Sequence, residues 1–109
     1  MIVDNRITEY LHSLEKSRGE LLDTIEKKAV EEGVPIIRSE TAALLRSLTA
    51  ALRPENILEI GTAVGYSALQ MCQVMPLNCH ITTIEKYEKR IPEAKEILKK
   101  PGKKAALLF

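Results

Sequence analysis

Residues 57–69 read ILEIGTAVGYSAL, and their reading decides the fold. The run over 56–60 is short, apolar and bounded by a turn signal, the pattern of a parallel strand buried on both faces. Gly61 and Gly65 then mark a turn, after which Leu69 and Cys72 restore helical spacing over 66–75 until Pro76 ends it. A strand feeding a glycine-rich turn into a helix is the building unit of doubly wound sheets.

Downstream, 80–85 is rich in β-branched residues and reads as a second strand. Residues 91–100 are helical with Ala94, Ile97 and Leu98 inward, 101–104 form a Pro-Gly turn, and 105–109 begin a third strand. This order predicts right-handed βαβ crossovers and a parallel sheet. Upstream, the spacing predicts a helix over 4–17, with Ile7, Tyr10, Leu11 and Leu14 on one face, and another over 20–32, with Leu21, Leu22, Ile25 and Ala29 inward. Gly33 caps the second helix, Pro35 keeps 34–38 extended, and Ser39 caps a third whose Leu44, Leu45, Leu48 and Leu52 form the expected buried stripe before Pro54. Residues 1–53 are thus a helical segment of the same domain, and 54–109 the first βαβα(β) part of a Rossmann-like, doubly wound α/β fold. Parallel sheets are normally larger, so the chain reads as the N-terminal half of such a fold.

Composition narrows the class. At 109 residues, 45% apolar and 28% charged, the chain has the profile of one soluble globular domain. No apolar run exceeds five residues, so neither a secretory leader nor a membrane span is expected, and the cytoplasm is the expected location. Cys72 and Cys79 match no metal or redox spacing and read as reduced packing residues. The net charge of +1 hides a basic segment, since 86–104 holds eight basic and three acidic residues. That segment is either a solvated helix face or a nucleic-acid contact.

The turn itself suggests a ligand, because backbone N–H groups collect where a strand passes through glycines into a helix. Glycines there can also serve tight turning and packing alone, which would leave 1–53 as a helical interaction module. A dinucleotide fingerprint counted from Gly61 needs glycines where Ala63 and Tyr66 stand; a Walker loop needs Gly-Lys-Ser/Thr at 66–68, where the chain has Tyr66, Ser67 and Ala68. Glu59 beside the turn opposes a pyrophosphate but suits a ligand with a cationic end, its carboxylate lying near Ser67. The alternative for Glu59 is a structural bond to a neighbouring helix cap. Glu85 follows Gly61 by 24 residues, close to where doubly wound folds place the acid that binds ribose hydroxyls.

These residues resemble a known family. ILEIGTAVGYSAL followed by ITTIEKYEKR is similar to motifs I and II of the cation-dependent class I S-adenosylmethionine O-methyltransferases, the group of catechol and caffeoyl-CoA methyltransferases, and GVPII with its Leu-rich helix resembles the lead-in. Among bacterial members the likeness is greatest to enzymes that methylate 5-hydroxyuridine at the tRNA wobble position. The resemblance implies methyl transfer from S-adenosylmethionine to an acceptor hydroxyl. Gly61 and Gly65 would line the methionine portion, Ser67 would meet its carboxylate or ammonium, Glu85 would hold the ribose and Tyr66 would belong to the cofactor-binding set, with weaker roles for Glu59 and the Ile37 backbone. A divalent cation, magnesium, is expected in the complete enzyme with ligands outside this chain. Also expected are a tRNA or small catechol-like acceptor and a homodimer. No catalytic or metal-binding residue is assigned within 1–109.

Overall fold

The computed structural model describes residues 2–99 and 104–108. Five helices and three strands follow in the order α1 (Asn5–Ser13), α2 (Glu20–Glu31), α3 (Ser39–Leu52), β1 (Asn56–Ile60), α4 (Tyr66–Cys72), β2 (His80–Ile84), α5 (Ile91–Lys99) and β3 (Lys104–Leu108), with a 3-10 turn over Glu88–Arg90 before α5. The strands are parallel in the order β1-β2-β3, with Ile60 opposite Ile84 and Ile84 opposite Leu108. Both crossovers step the same way across the sheet, so their right-handedness puts α4 and α5 on one face. The expected α/β class and parallel sheet are present; 101–103 and Phe109 lie outside the described residues.

Two apolar clusters form the core, one among the helices and the turn and one between helices and strands. Leu22, Ile25 and Ala29 of α2 meet Val64, Leu69, Ile97 and Leu98 around the turn. Met71, Cys72, Met75, Cys79 and Ile81 form the second cluster, with Leu45 of α3 and Ile57 of β1 against it. Cys72 and Cys79 are 1% and 0% exposed and form no disulfide, as their spacing suggested.

Four expectations fail, the first two because the partner surface is one-sided. β1 alternates rather than being buried throughout: Ile57 and Glu59 face the helices, whereas Leu58 and Ile60 are 66% and 81% exposed. On α3 the inward residues are Ala42, Arg46 and Thr49, and Leu44, Leu48 and Leu52 face outward; of the expected stripe Leu45 alone packs on a cluster. The close α3–α4 approach selects the narrow Ala42 side, and helical periodicity then turns the leucines away. Helix α1 is shorter than expected and buries none of its residues. Ser39 begins α3 without capping it; the N-cap is Arg38, and the Ser39 hydroxyl donates to Glu40.

Candidate functional site

The carboxyl ends of β1 and β2 lie side by side, so the register that pairs Ile60 with Ile84 brings Gly61 beside Glu85. Backbone bonds close the turn: the Gly61 and Thr62 N–H groups donate to the Ile84 carbonyl at 2.8 and 3.2 Å, and the Gly65 N–H donates to the Thr62 carbonyl at 2.9 Å. Gly61, Ala63 and Gly65 have φ of +94°, +48° and +86°. The left-handed region suits glycine, and Ala63 occupies it at a cost.

The two glycines differ in surroundings. A Cβ on Gly61 would meet no atom within 4 Å, so the turn is open on that side. A Cβ on Gly65 would lie 3.4 Å from Ile97 Cγ2 and 3.5 Å from Leu98 Cδ2. Gly65 therefore lets α5 approach the turn, and its missing side chain faces the core instead of open space.

Glu85 is fixed by the turn. Its Oε2 accepts from the Ala63 N–H at 2.8 Å and its Oε1 from the Tyr87 N–H at 2.9 Å. Those bonds, the Tyr87 one foremost, hold its carboxyl below the usual carboxylate range, against an opposing effect of burial and with help from Arg90. Each carboxylate oxygen carries two lone pairs, so acceptor capacity remains at Glu85 for a ligand.

Glu59 belongs to a second network. Its Oε2 accepts from the Ser67 hydroxyl and its Oε1 from Thr83 Oγ1 at 2.7 Å, while Thr62 and Thr83 share a 2.6 Å hydroxyl contact. Thr83 has one proton and gives it to Glu59, so Thr62 donates into Thr83. The relay Thr62, Thr83, Glu59, Ser67 ties β1, β2 and the first turn of α4 together. This corresponds to the structural alternative for Glu59, and it engages the Ser67 hydroxyl that the sequence assigned to a methionyl carboxylate. Thr62 and Thr83, 1% and 0% exposed, were missed. The signal was their inward register, since Ile81 and Thr83 share a strand face.

Tyr66 and Ile37 stand apart from this cluster. The Tyr66 ring is 3% exposed and its hydroxyl donates to Glu26 of α2 at 3.4 Å, away from Glu85. Burial pushes that phenol up, with Glu26 adding to the effect. Ile37 lies in the α2–α3 connection, packed on the first cluster, and takes no part in the bonds around Glu59 and Glu85. A group able to hold a metal, His12, Glu15 and Glu40, gathers ligand atoms within 4.8 Å between α1 and α3, where the sequence assigned none.

The turn thus brings an open Gly61 beside an acid held by backbone amides. Residues 11–108 match the O-methyltransferase family profile. The chain belongs to the O-methyltransferase family. A catechol O-methyltransferase of Niastella koreensis is 26% identical over 98 residues, covering 88% of this chain and 44% of that protein. A methyltransferase from Geobacter sulfurreducens superimposes with a TM-score of 0.89 at 23% identity, over 98% of this chain and 57% of that one. The O-methyltransferase TomG from Streptomyces achromogenes, solved in complex with SAM, gives 0.77 at 24% identity, over 98% and 52%. The fold is that of class I methyltransferases, and the chain spans about half the length of such relatives. No described helix is long and apolar enough to cross a membrane.

Proposed function

We propose that this chain is the cofactor-gripping part of an S-adenosylmethionine-dependent O-methyltransferase. The observation that carries the reading is Glu85, a carboxylate anchored by two backbone N–H groups with acceptor capacity to spare, beside a Gly61 that faces open space. Such an acid suits a ribose diol, whose two hydroxyls donate together. The bare backbone of Gly61 leaves room for the methionine portion, and the half-buried Glu59 provides negative charge near a sulfonium or ammonium. Bound S-adenosylmethionine supplies a methyl group on a positively charged sulfur for transfer to an acceptor oxygen. This chain's residues bind and orient; Ser67 and Thr83 keep the Glu59 carboxylate in place, and Ala63 and Tyr87 keep Glu85 in place.

A divalent cation does not fit the turn. Among the described residues no three His, Cys, Asp or Glu side chains converge there, and the group that does converge, His12, Glu15 and Glu40, lies between α1 and α3. The acceptor belongs to the hydroxyl-bearing class, a small catechol-like molecule or 5-hydroxyuridine in tRNA. The tRNA alternative draws on Lys86, Lys89, Lys95 and Lys99, all exposed. A cytoplasmic homodimer completes the proposal.

Calorimetric titration with S-adenosylhomocysteine and, separately, NADH tests the cofactor. Saturable binding of the first and none of the second is expected. A folded chain that ignores S-adenosylhomocysteine overturns the reading.

A further inference from the structure

A second cavity lies away from the turn. It occupies about 560 Å³ among α1, α2, α3 and α4, within the size range of small-molecule sites. Its apolar wall includes Leu11, Leu14, Leu22 and Ala42. This explains where the apolar stripe of the first helical segment goes: Leu11 and Leu14, 40% and 60% exposed, border a cavity instead of a packed core.

The polar end is unusual in charge. Arg46 is 9% exposed, yet among the described residues no carboxylate stands within 4.0 Å of its guanidinium. It donates one bond, from Nη1 to the Gln70 side-chain oxygen. No fully buried side-chain nitrogen lacks a partner among the described residues, so the remaining Arg46 N–H groups open onto the cavity they line. Arg18 borders the same space and repels it, adding to the larger effect of burial in pulling its pKa down, against smaller attractions from Tyr66 and Glu15. A buried guanidinium without a counter-ion is costly, and a bidentate oxyanion would offset that cost.

Acids also border the cavity, but most are engaged. Glu26 accepts from Tyr66, Asp23 from Ser17, and Glu40 from His12 and Ser39. All of them, and Glu15, are more exposed than Arg46. They leave the deep positive end intact and disfavour a ligand with two negative charges.

We propose that the α1–α4 cavity is a second ligand site, taking a monoanionic carboxylate on an apolar body, with Arg46 and Arg18 at the charged end and Leu11, Leu14 and Leu22 along the chain. The site is independent of the cofactor reading. Its size and leucine wall suit an aliphatic or single-ring carboxylic acid.

The test titrates the full chain, followed by amide chemical shifts, with four probes sharing one six-carbon body: hexanoate, hexyl phosphate, hexylammonium and hexan-1-ol. Hexanoate should bind about tenfold or more tighter than hexanol or hexylammonium, as charge-assisted hydrogen bonds warrant, and tighter than hexyl phosphate because of the acids. Arg46→Gln should reduce hexanoate to the level of hexanol. Should that variant not fold, Arg18→Ser, at an exposed residue, keeps the proposal open to refutation, with an expected loss of about threefold in hexanoate affinity. Binding of S-adenosylhomocysteine, measured in parallel, should be unchanged in Arg18→Ser, which separates this site from the turn. Equal affinity for hexanoate and hexanol, a preference for the phosphate, or hexanoate binding indifferent to the Arg substitutions overturns the proposal.

Discussion

At the scale of single residues, Glu85 and the two glycines carry separable predictions. Glu85→Ala should weaken S-adenosylhomocysteine binding by roughly 10- to 100-fold, since hydrogen bonds to a charged group are worth about 1.5–3 kcal/mol. Calorimetry showing unchanged affinity would make Glu85 an ordinary strand-end acid. Its lowered pKa has a further consequence, because a depressed carboxyl stabilises the fold above its unfolded pKa and loses that contribution as pH falls through the folded value. Wild type should therefore lose stability in acid more steeply than Glu85→Gln, as urea titrations between pH 2 and 6 (roughly the carboxylate range) can check. Gly65→Val is expected to act on folding. With φ at +86° and Ile97 and Leu98 beside the new Cβ, conformational strain and overpacking should together cost about 2–4 kcal/mol. Gly61→Ala, whose Cβ meets open space, should bear only the conformational cost of about 1–2 kcal/mol but interfere with the cofactor. A Gly65→Val protein that melts normally and binds poorly would reverse these roles.

At the scale of elements, α1 depends on few contacts. Its residues are not buried, and the His12–Glu40 pair at 2.9 Å ties it to α3. The hydrogen bond to Glu40 foremost, with the charges of Glu15 and Glu40, raises the His12 pKa, while desolvation and Arg38 act the other way. A raised pKa means that stabilisation is complete below the unfolded value, about 6.5, and lost as pH climbs through the folded one. Amide exchange in Asn5–Ser13, relative to the rest of the chain, should therefore accelerate across that upper window. His12→Gln should abolish the pH dependence; if it persists in that variant, α1 is held by something other than this pair.

At the scale of the whole molecule, one sheet face is covered by helices, and among the described residues β1 exposes its other face. Leu58 and Ile60 on β1, and Leu44, Leu48 and Leu52 on α3, present large apolar side chains to solvent, and the outer edge of β1 pairs with no described strand. Surfaces of this kind promote association. The 109-residue chain should sediment as a self-associating species at micromolar concentration. Leu48→Glu, at a position outside both core clusters, should reduce association without lowering the melting temperature. A melting temperature that falls as it would for a core substitution would show that Leu48 is packed in solution.

What the sequence determined by itself was local in origin. Gly61 and Gly65, the β-branched run of β2, and the Gly33–Pro35 break set element type and order, because backbone sterics and turn chemistry act over a few residues. The place of Glu85 was legible for the same reason, since strand length and turn length fix how far it lies from Gly61. Tertiary structure alone decided which side of each element is inside. Periodicity shows that Leu44, Leu48 and Leu52 share a face of α3, but their burial depends on whether a partner covers it, and α4 accepts the Ala42 side instead. The same holds for Leu58 and Ile60 on β1, for the turn of Tyr66 toward Glu26, and for Arg46 at the closed end of a cavity. Burial is a property of pairs of surfaces, and a single chain segment specifies only one of the two.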